Sequence, residues 1–299
     1  MSIAFRIPWS SDVPRLPELA HWAADHGFGA LDLGAPDKEK VEAVRGAGLD
    51  IGTFDLMATS PLLSPDPDVR RAVLPIVTEA AARAKDLGLT RAFGVFVPGD
   101  RTQSRGDSFQ NWSESWPAVS EILASAGIDY CMEGWPGDSP AYPALGVTPE
   151  TVRAMLAVDA ARGAGALKLN YDPSHLVRVG VDPLRFLSEF GSSVRHVHGK
   201  DTAFDAARLY ETGNLGASLP ADHPGSAAKN QPDFSEGWWR YCIPGEGVVL
   251  WNKVAALLSE FGYTGHVSVE LEDSRYNGSW AGEQRGLTRA QKYLAQYFG

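Results

Sequence analysis

Two hydrophobic periods alternate along the chain. Segments such as Val267-Ser268-Val269-Glu270 and Leu169-Asn170-Tyr171-Asp172 alternate apolar with polar residues, the period-two signature of a strand whose two faces meet different surroundings. Longer segments carry apolar residues three and four apart, and the clearest predict helices over 14–25, 67–87, 113–126, 149–162 and 252–261. Thr148-Pro149 and Asp182-Pro183 are helix starts, a capping side chain followed by proline at the first helical position. The two periods are joined by a repeated hinge, in which a helical segment stops at glycine and runs straight into a β-rich segment. His26-Gly27-Phe28-Gly29 precedes Ala30-Leu31-Asp32-Leu33, and Ala126-Gly127-Ile128 precedes Asp129-Tyr130-Cys131-Met132-Glu133. Glycine supplies the left-handed residue that ends a helix. With Ile3-Ala4-Phe5-Arg6 at the start and Val194-Arg195-His196-Val197-His198 later, eight strands are predicted, most of them separated by helices. That alternation implies a parallel sheet, and eight units in 299 residues predict an α/β fold, a (β/α)8 TIM barrel. A doubly wound open sheet is the alternative, but no Gly-x-Gly-x-x-Gly follows the first strand.

The rhythm breaks between Lys200 and Trp251, where little periodicity is visible. Residues 1–299 are therefore read as a single barrel domain with a long insertion, 201–250, after strand 7. Its place on the face where barrels carry their chemistry suggests a lid or a partner-binding surface.

Composition narrows the function classes. A chain that is 44% hydrophobic and 21% charged is globular, and a net charge of −10 argues against a phosphate-backbone partner. Two cysteines, Cys131 and Cys242, make neither a disulfide framework nor a thiolate metal site. The first residues lack the basic and apolar regions of a signal peptide, and no apolar run approaches the ~20 residues of a membrane span. A cytoplasmic protein without a membrane partner is expected.

The candidate chemistry sits at four strand ends: Glu133, Asp172, His198 and Glu270. Alternation turns each inward, because Met132, Tyr171, Val197 and Val269 take the opposite face. They fall on the last four strands, which are neighbours in a closed barrel, so they converge on one side of its mouth. Three carboxylates repel unless a cation lies among them. With one imidazole they make a hard donor set that favours Mn2+, Mg2+ or Co2+, with Zn2+ a further candidate. Trp135, two residues after Glu133, is expected to line the pocket, and Lys200 to bind a phosphate or a carbonyl oxygen of the substrate. His196 reads as a core histidine one layer deeper. Glu272 reads as lying just beyond the ligands or in solvent, and Trp112 and Trp116 as core. Trp238, Trp239 and Tyr241 either wall a sugar site or fasten the insertion to the barrel.

The runs Asn170-Tyr171-Asp172-Pro173-Ser174-His175, His196-Val197-His198-Gly199-Lys200-Asp201 and Val267-Ser268-Val269-Glu270-Leu271-Glu272-Asp273 resemble the xylose isomerase-like barrel superfamily, and within it the sugar phosphate isomerase/epimerase branch. The resemblance implies one divalent metal held by a Glu, an Asp, a His and a Glu on successive strands, which match Glu133, Asp172, His198 and Glu270. It also implies that His175 touches the substrate, and that the two metal-bound glutamates move protons on opposite faces of a sugar. The chain departs from the ketose 3-epimerases at Gly199-Lys200-Asp201-Thr202, where those enzymes carry an acidic residue and a nearby arginine. The Trp-rich segment before Pro244-Gly245-Glu246-Gly247 is similar to a subgroup that includes enzymes for keto-sugars, some of which eliminate an aglycone with the help of a small partner subunit. The expected activity is therefore a metal-dependent isomerase or epimerase acting through an enediolate of a sugar or keto-sugar, with Glu133, Glu270 and His175 catalytic. The alternatives are a lyase working by β-elimination and a non-catalytic sugar-binding protein. A homo-oligomer or a small partner subunit is compatible with either enzyme.

Overall fold

A computed structural model describes residues 1–139, 141–226 and 232–299. Eight parallel strands close into a barrel, the last strand pairing with the first. They are β1 (Ser2–Arg6), β2 (Ala30–Leu33), β3 (Asp50–Asp55), β4 (Arg91–Gly94), β5 (Asp129–Glu133), β6 (Leu167–Tyr171), β7 (Val194–Gly199) and β11 (His266–Val269), the eight segments that the period-two pattern marks. β5, β6, β7 and β11 are consecutive neighbours through their parallel ladders. The hinge glycines do what the repeat implies: Gly27 and Gly127 adopt φ of +80° and +72° between a helix and the next strand.

The helices differ from expectation in two places. The 113–126 segment is the second half of a longer helix, Arg105–Ser125, which starts where Ser104 accepts a hydrogen bond from the Asp107 amide. Its buried positions, Trp112, Trp116, Val119 and Leu123, keep the helical spacing. The 67–87 segment is two helices, Pro67–Arg71 and Val73–Asp86. Pro75 has no amide proton to continue one helix through this point, and the break places it in the first turn of the second.

Trp112 and Trp116 are fully buried as expected, stacked against each other and edge-on to Phe96. The buried Asp159 carboxylate ties this layer to the barrel, accepting from Trp116 Nε1 at 2.7 Å, Ser120 Oγ at 2.6 Å and the Leu167 amide at 3.0 Å.

The insertion is more ordered than its pattern suggests. β8 (Asp201–Phe204), β9 (Ser235–Glu236) and β10 (Trp239–Cys242) form a three-stranded sheet with β10 in the middle, and a helix spans Ala206–Thr212. Both pairings of β10 are antiparallel. Strands of two to four residues are too short to display a period, which is why the segment reads as irregular. Residues 227–231 of the insertion lie outside the described residues. Its return to the barrel is fixed by Asp201, whose carboxylate accepts from the amides of Gly245 and Val249 and from Trp251 Nε1. A Cβ at residue 247 would collide with that carboxylate, so glycine is required there. Among the described residues, no helix is long and apolar enough to cross a membrane.

Candidate metal centre

Six of the seven residues singled out by the sequence meet at the C-terminal mouth of the barrel. Glu133 ends β5. Asp172 follows β6 and caps the helix Pro173–Arg178, its Oδ1 accepting from the Ser174 amide at 2.8 Å and hydroxyl at 2.6 Å. That short helix carries His175 back over the mouth. His198 and Lys200 flank the end of β7, and Glu270 follows β11. All six are buried, Glu270 being the most exposed at 8%.

His198 Nδ1 faces all three carboxylates, 2.7 Å from Glu133 Oε1, 3.4 Å from Glu270 Oε2 and 3.8 Å from Asp172 Oδ2. His175 Nε2 approaches from the other side, 3.6 Å from Glu133 Oε2 and 3.4 Å from Asp172 Oδ2. Glu133, Asp172, His175 and Glu270 each offer an atom within 4.8 Å of the others, and Asp32, His196 and His198 form a second such group. Two imidazoles are therefore within reach of the carboxylates, where the sequence pattern assigns His198 alone to a metal. Asp172 Oδ2 and His198 Nδ1 are both buried without a hydrogen-bond partner. Each meets an ionic neighbour instead, Lys200 Nζ 3.2 Å from Asp172 Oδ2 and Glu133 Oε1 2.7 Å from His198 Nδ1, contacts that a cation among the carboxylates would replace. A hard divalent cation suits three carboxylates and an imidazole so arranged, and the donor set fits one.

Lys200 lies among carboxylates rather than in solvent. Its Nζ donates to Glu270 Oε2 and, at 2.9 Å, to Glu272 Oε2, lies 3.2 Å from Asp172 Oδ2, and sits 4.7 Å from the centre of the Tyr241 ring. Burial works against the charge, yet Asp172, Glu270 and Glu272 hold the lysine well above its ordinary value. Burial pushes the Glu270 carboxyl up, while Lys200, His198 and Arg6 together pull it well below the usual range. Glu133 is likewise pushed up by burial and by Glu270, and pulled down further by His198 and His175, so it too stays ionised. Trp135 is the exception among the predicted residues. It packs half-buried against a small apolar cluster of Phe93, Val95, Val97, Ala144 and Val147, of which Phe93 lies tilted against His198 with ring centroids 5.2 Å apart.

Several residues that the sequence pattern does not single out complete the site. Asn170 Nδ2 donates to Glu133 Oε1 at 2.8 Å. Arg6 at the end of β1 pairs with Asp55 at 2.8 Å, places its guanidinium over Phe93 and brings Nε within 3.7 Å of Glu270 Oε1. Asp32 lies one layer below, bonded to His196 Nε2 at 3.0 Å and to Ser268 Oγ at 2.5 Å, with His198 Nε2 3.8 Å away. A charged residue inside the apolar run Leu31-Asp32-Leu33 is the available signal. His196 is thus the buried core histidine the pattern suggested. The insertion contributes Tyr241, whose hydroxyl lies 2.7 Å from His175 Nδ1, and Glu236, paired with Arg178 at 2.9 Å. Trp239 lies beneath the Arg178 guanidinium, and Trp238 packs against Phe204. Of these aromatics, Tyr241 touches a predicted site residue, Trp239 fastens the insertion to the barrel helix through Arg178, and Trp238 packs within the insertion.

A family model described as xylose isomerase-like TIM barrel matches residues 20–297. Among curated proteins, the uncharacterized protein YfiH of Bacillus subtilis (strain 168) is 31% identical over 188 residues, 56% of this chain and 55% of that protein. An inosose dehydratase of Bacillus cereus (strain AH820) is 29% identical over 106 residues, 36% of this chain and 30% of that protein. The chain thus spans about half or less of the length of these curated relatives. Among solved structures, D-psicose 3-epimerase from Clostridium cellulolyticum H10 superposes with a TM-score of 0.67 at 15% identity, covering 100% of this chain and 99% of that one. The probable 3-DHS dehydratase AsbF from Bacillus anthracis superposes with a TM-score of 0.70 at 16% identity, covering 99% of each chain. At these identities the structural likeness shows the fold alone.

Proposed function

The chain belongs to the xylose isomerase-like TIM-barrel family, and from that premise we propose that it is a divalent-metal-dependent enzyme that moves a proton at a carbon beside the carbonyl of a sugar or keto-sugar. One observation carries the reading: three buried carboxylates and His198 Nδ1 converge, with Asp172 Oδ2 and His198 Nδ1 left without hydrogen bonds. Glu133, Asp172, His198 and Glu270 would hold the ion. Bound there, Mn2+ (or Mg2+, Co2+ or Zn2+) would act as a Lewis acid on the carbonyl. The chain's own groups do the proton work. Glu133 or Glu270, both kept ionised, accepts the proton from the acidified carbon, and the other returns one from the opposite side, giving an epimer or an aldose–ketose isomer. His175 and Lys200 face the same space with N–H donors for substrate oxygens. Residues 1–299 act as one domain in this reading, with the 201–250 insertion contributing Tyr241 beside the cluster.

A second reading is a lyase, in which loss of a β-hydroxyl follows proton removal. It is favoured by the sequence matches to inosose dehydratases, which this chain resembles at higher identity than the epimerase structures.

The test begins with elemental analysis of the wild type and of Asp172→Ala and His198→Ala, each purified with added Mn2+. About one metal per chain is expected in the wild type and none in the folded variants. Metal-loaded enzyme is then offered ketoses and inososes in deuterated water, where deuterium uptake marks epimerisation or isomerisation and a product one water lighter marks dehydration. A wild type without metal, or variants that keep it, would end the assignment.

A further inference from the structure

The last helix, Trp280–Phe298, groups its cations on one face. On several other surface helices a cation meets an acid one turn away, as in Lys38–Glu42, Arg71–Asp68 and Arg83–Glu79. Here Arg285, Arg289 and Lys292 follow one another along a single face, while the helix's one acid, Glu283, is buried on another face against Ser10 and Asn277. Like charges four residues apart, as Arg285 and Arg289 are, work against a helix. Arg289 reaches Glu246 at 2.8 Å, whereas Arg285 and Lys292 form no ion pair among the described residues. That face borders a groove of about 490 Å³, bounded on its other side by Trp22 and His26 at the end of the helix Leu16–Asp25. The polar side chains that the last helix lends to the groove can all donate. Turned to suit both indoles, the Gln284 amide accepts through its oxygen from Trp22 Nε1 at 3.1 Å and Trp280 Nε1 at 3.2 Å, and its NH2 group is left to donate. Arg285 gives Nη1 to the Ala281 carbonyl at 2.9 Å and keeps the rest of its fork. Thr288 adds a hydroxyl, and Lys292 an ammonium. His26 donates through Nδ1 to the Trp22 carbonyl at 2.7 Å and stacks on the Trp22 indole with ring centroids 4.4 Å apart, so the two rings make one wall.

We propose that this groove is a second binding site, one that takes the phosphate group of a small phosphate monoester. A lining dominated by donors suits a dianion whose oxygens only accept, and an arginine fork matches the oxygens of phosphate. An anion between Arg285 and Lys292 would also relieve the repulsion along the helix, which no acid of the helix does. The volume suits a metabolite-sized ligand, and the net charge of −10 disfavours a nucleic-acid strand. The groove lies on the outer wall of the barrel, between two helices that supply none of the residues of the carboxylate cluster. It therefore stands independently of the chemistry assigned to the mouth.

Binding can be read without any turnover. Full-length protein with Mg2+ is titrated in a calorimeter with inorganic phosphate, with glycerol 1-phosphate and, as the uncharged control, with glycerol. The wild type is expected to bind both phosphates saturably, more weakly as NaCl is raised, and not to bind glycerol. The double variant Arg285→Gln/Lys292→Gln is expected to bind both phosphates about tenfold more weakly, while Arg83→Gln, which removes a cation paired with Glu79, leaves them unchanged. Because the double variant loses repulsion and no ion pair, it should melt no lower than the wild type in phosphate-free buffer. It should also lose the rise in Tm that phosphate gives the wild type. No saturable phosphate binding by the wild type would overturn the proposal, as would undiminished binding in the folded double variant or glycerol binding as well as its phosphate. A lower Tm of the double variant without phosphate would assign the two cations to the fold and overturn it too. A protein that binds phosphate here but holds no metal would sink the function proposed above and leave this site intact.

Discussion

Asp32 offers the sharpest test of how the barrel interior supports the site. It lies fully buried in β2, and its two oxygens serve three donors: Oδ1 accepts from the Thr53 amide at 2.9 Å, and Oδ2 from Ser268 Oγ at 2.5 Å and His196 Nε2 at 3.0 Å. Burial pushes this carboxyl up, but His196 and His198 outweigh it, so Asp32 stays ionised. Asp32→Asn keeps the shape and removes half of the acceptor capacity. If the amide oxygen keeps Ser268 and His196, the Thr53 N–H faces an amide nitrogen; in the other orientation, two donors are stranded. Each buried unsatisfied donor costs about 1–3 kcal/mol, and at least two are created, so a loss of about 2–5 kcal/mol is expected. In a chain of this size that lowers Tm by roughly 5–10 °C. Asp32 is also the carboxylate nearest His198 Nε2, at 3.8 Å. Supporting carboxylates of this kind are worth about 10–100-fold in metal affinity, so Mn2+ should bind Asp32→Asn correspondingly more weakly in titration calorimetry. An unchanged Tm would refute the donor count, and full Mn2+ affinity in the folded variant would refute the link from Asp32 to His198.

Asp159→Ala strands the Leu167 amide, the Trp116 indole N–H and the Ser120 hydroxyl away from the site. It should cost about 2–4 kcal/mol in urea unfolding with the metal stoichiometry unchanged, and a loss of metal instead would contradict its placement. Burial depresses the His198 imidazolium, but Glu270 and Glu133 raise it well above 6.5, so at pH 7 metal must displace a proton from the ring. Mn2+ binding should therefore release about one proton at pH 7, read by calorimetry in buffers of different ionisation enthalpy, and affinity should rise with pH until His198 is deprotonated. The same raised value means that His198 stabilises the metal-free fold fully below its unfolded value of 6.5, a contribution lost as pH climbs through the folded one.

The barrel is legible because its signals are local and repeated. An apolar–polar alternation a few residues long, a glycine that ends a helix and a capping pair before proline each act within one turn or strand, and eight repetitions leave few architectures. The two helices that depart from expectation lie where local signals compete: Pro75 splits one segment, and the polar first turns of Arg105–Ser125 hide behind a capping serine. The insertion is illegible for the opposite reason. The identity of β10 depends on pairing with β8, from Trp239↔Phe204 to Cys242↔Asp201, across more than thirty residues, and no local period records such a partner.

The same division runs through the site. Parity along four strands brings Glu133, Asp172, His198 and Glu270 together, because alternation decides which way a strand residue points. Nothing comparable announces Arg6 beside Glu270, Asp32 beneath His198 or Tyr241 behind His175, since each pairing joins elements distant in sequence. Barrels of this fold include D-psicose 3-epimerase and a probable 3-DHS dehydratase, and in the reading proposed above the first step is removal of a proton from a carbon beside a carbonyl. The fate of the resulting enolate depends on which oxygen meets an N–H donor: one on the carbonyl favours return of the proton, and one on the neighbouring hydroxyl favours its departure. In the reading proposed above those donors would be Lys200, set among three carboxylates, and His175, whose Nδ1 meets the Tyr241 hydroxyl of the insertion. On that reading the choice of reaction would rest on contacts whose pairing is least local, which is why the sequence reveals the carboxylate cluster more readily than the groups around it.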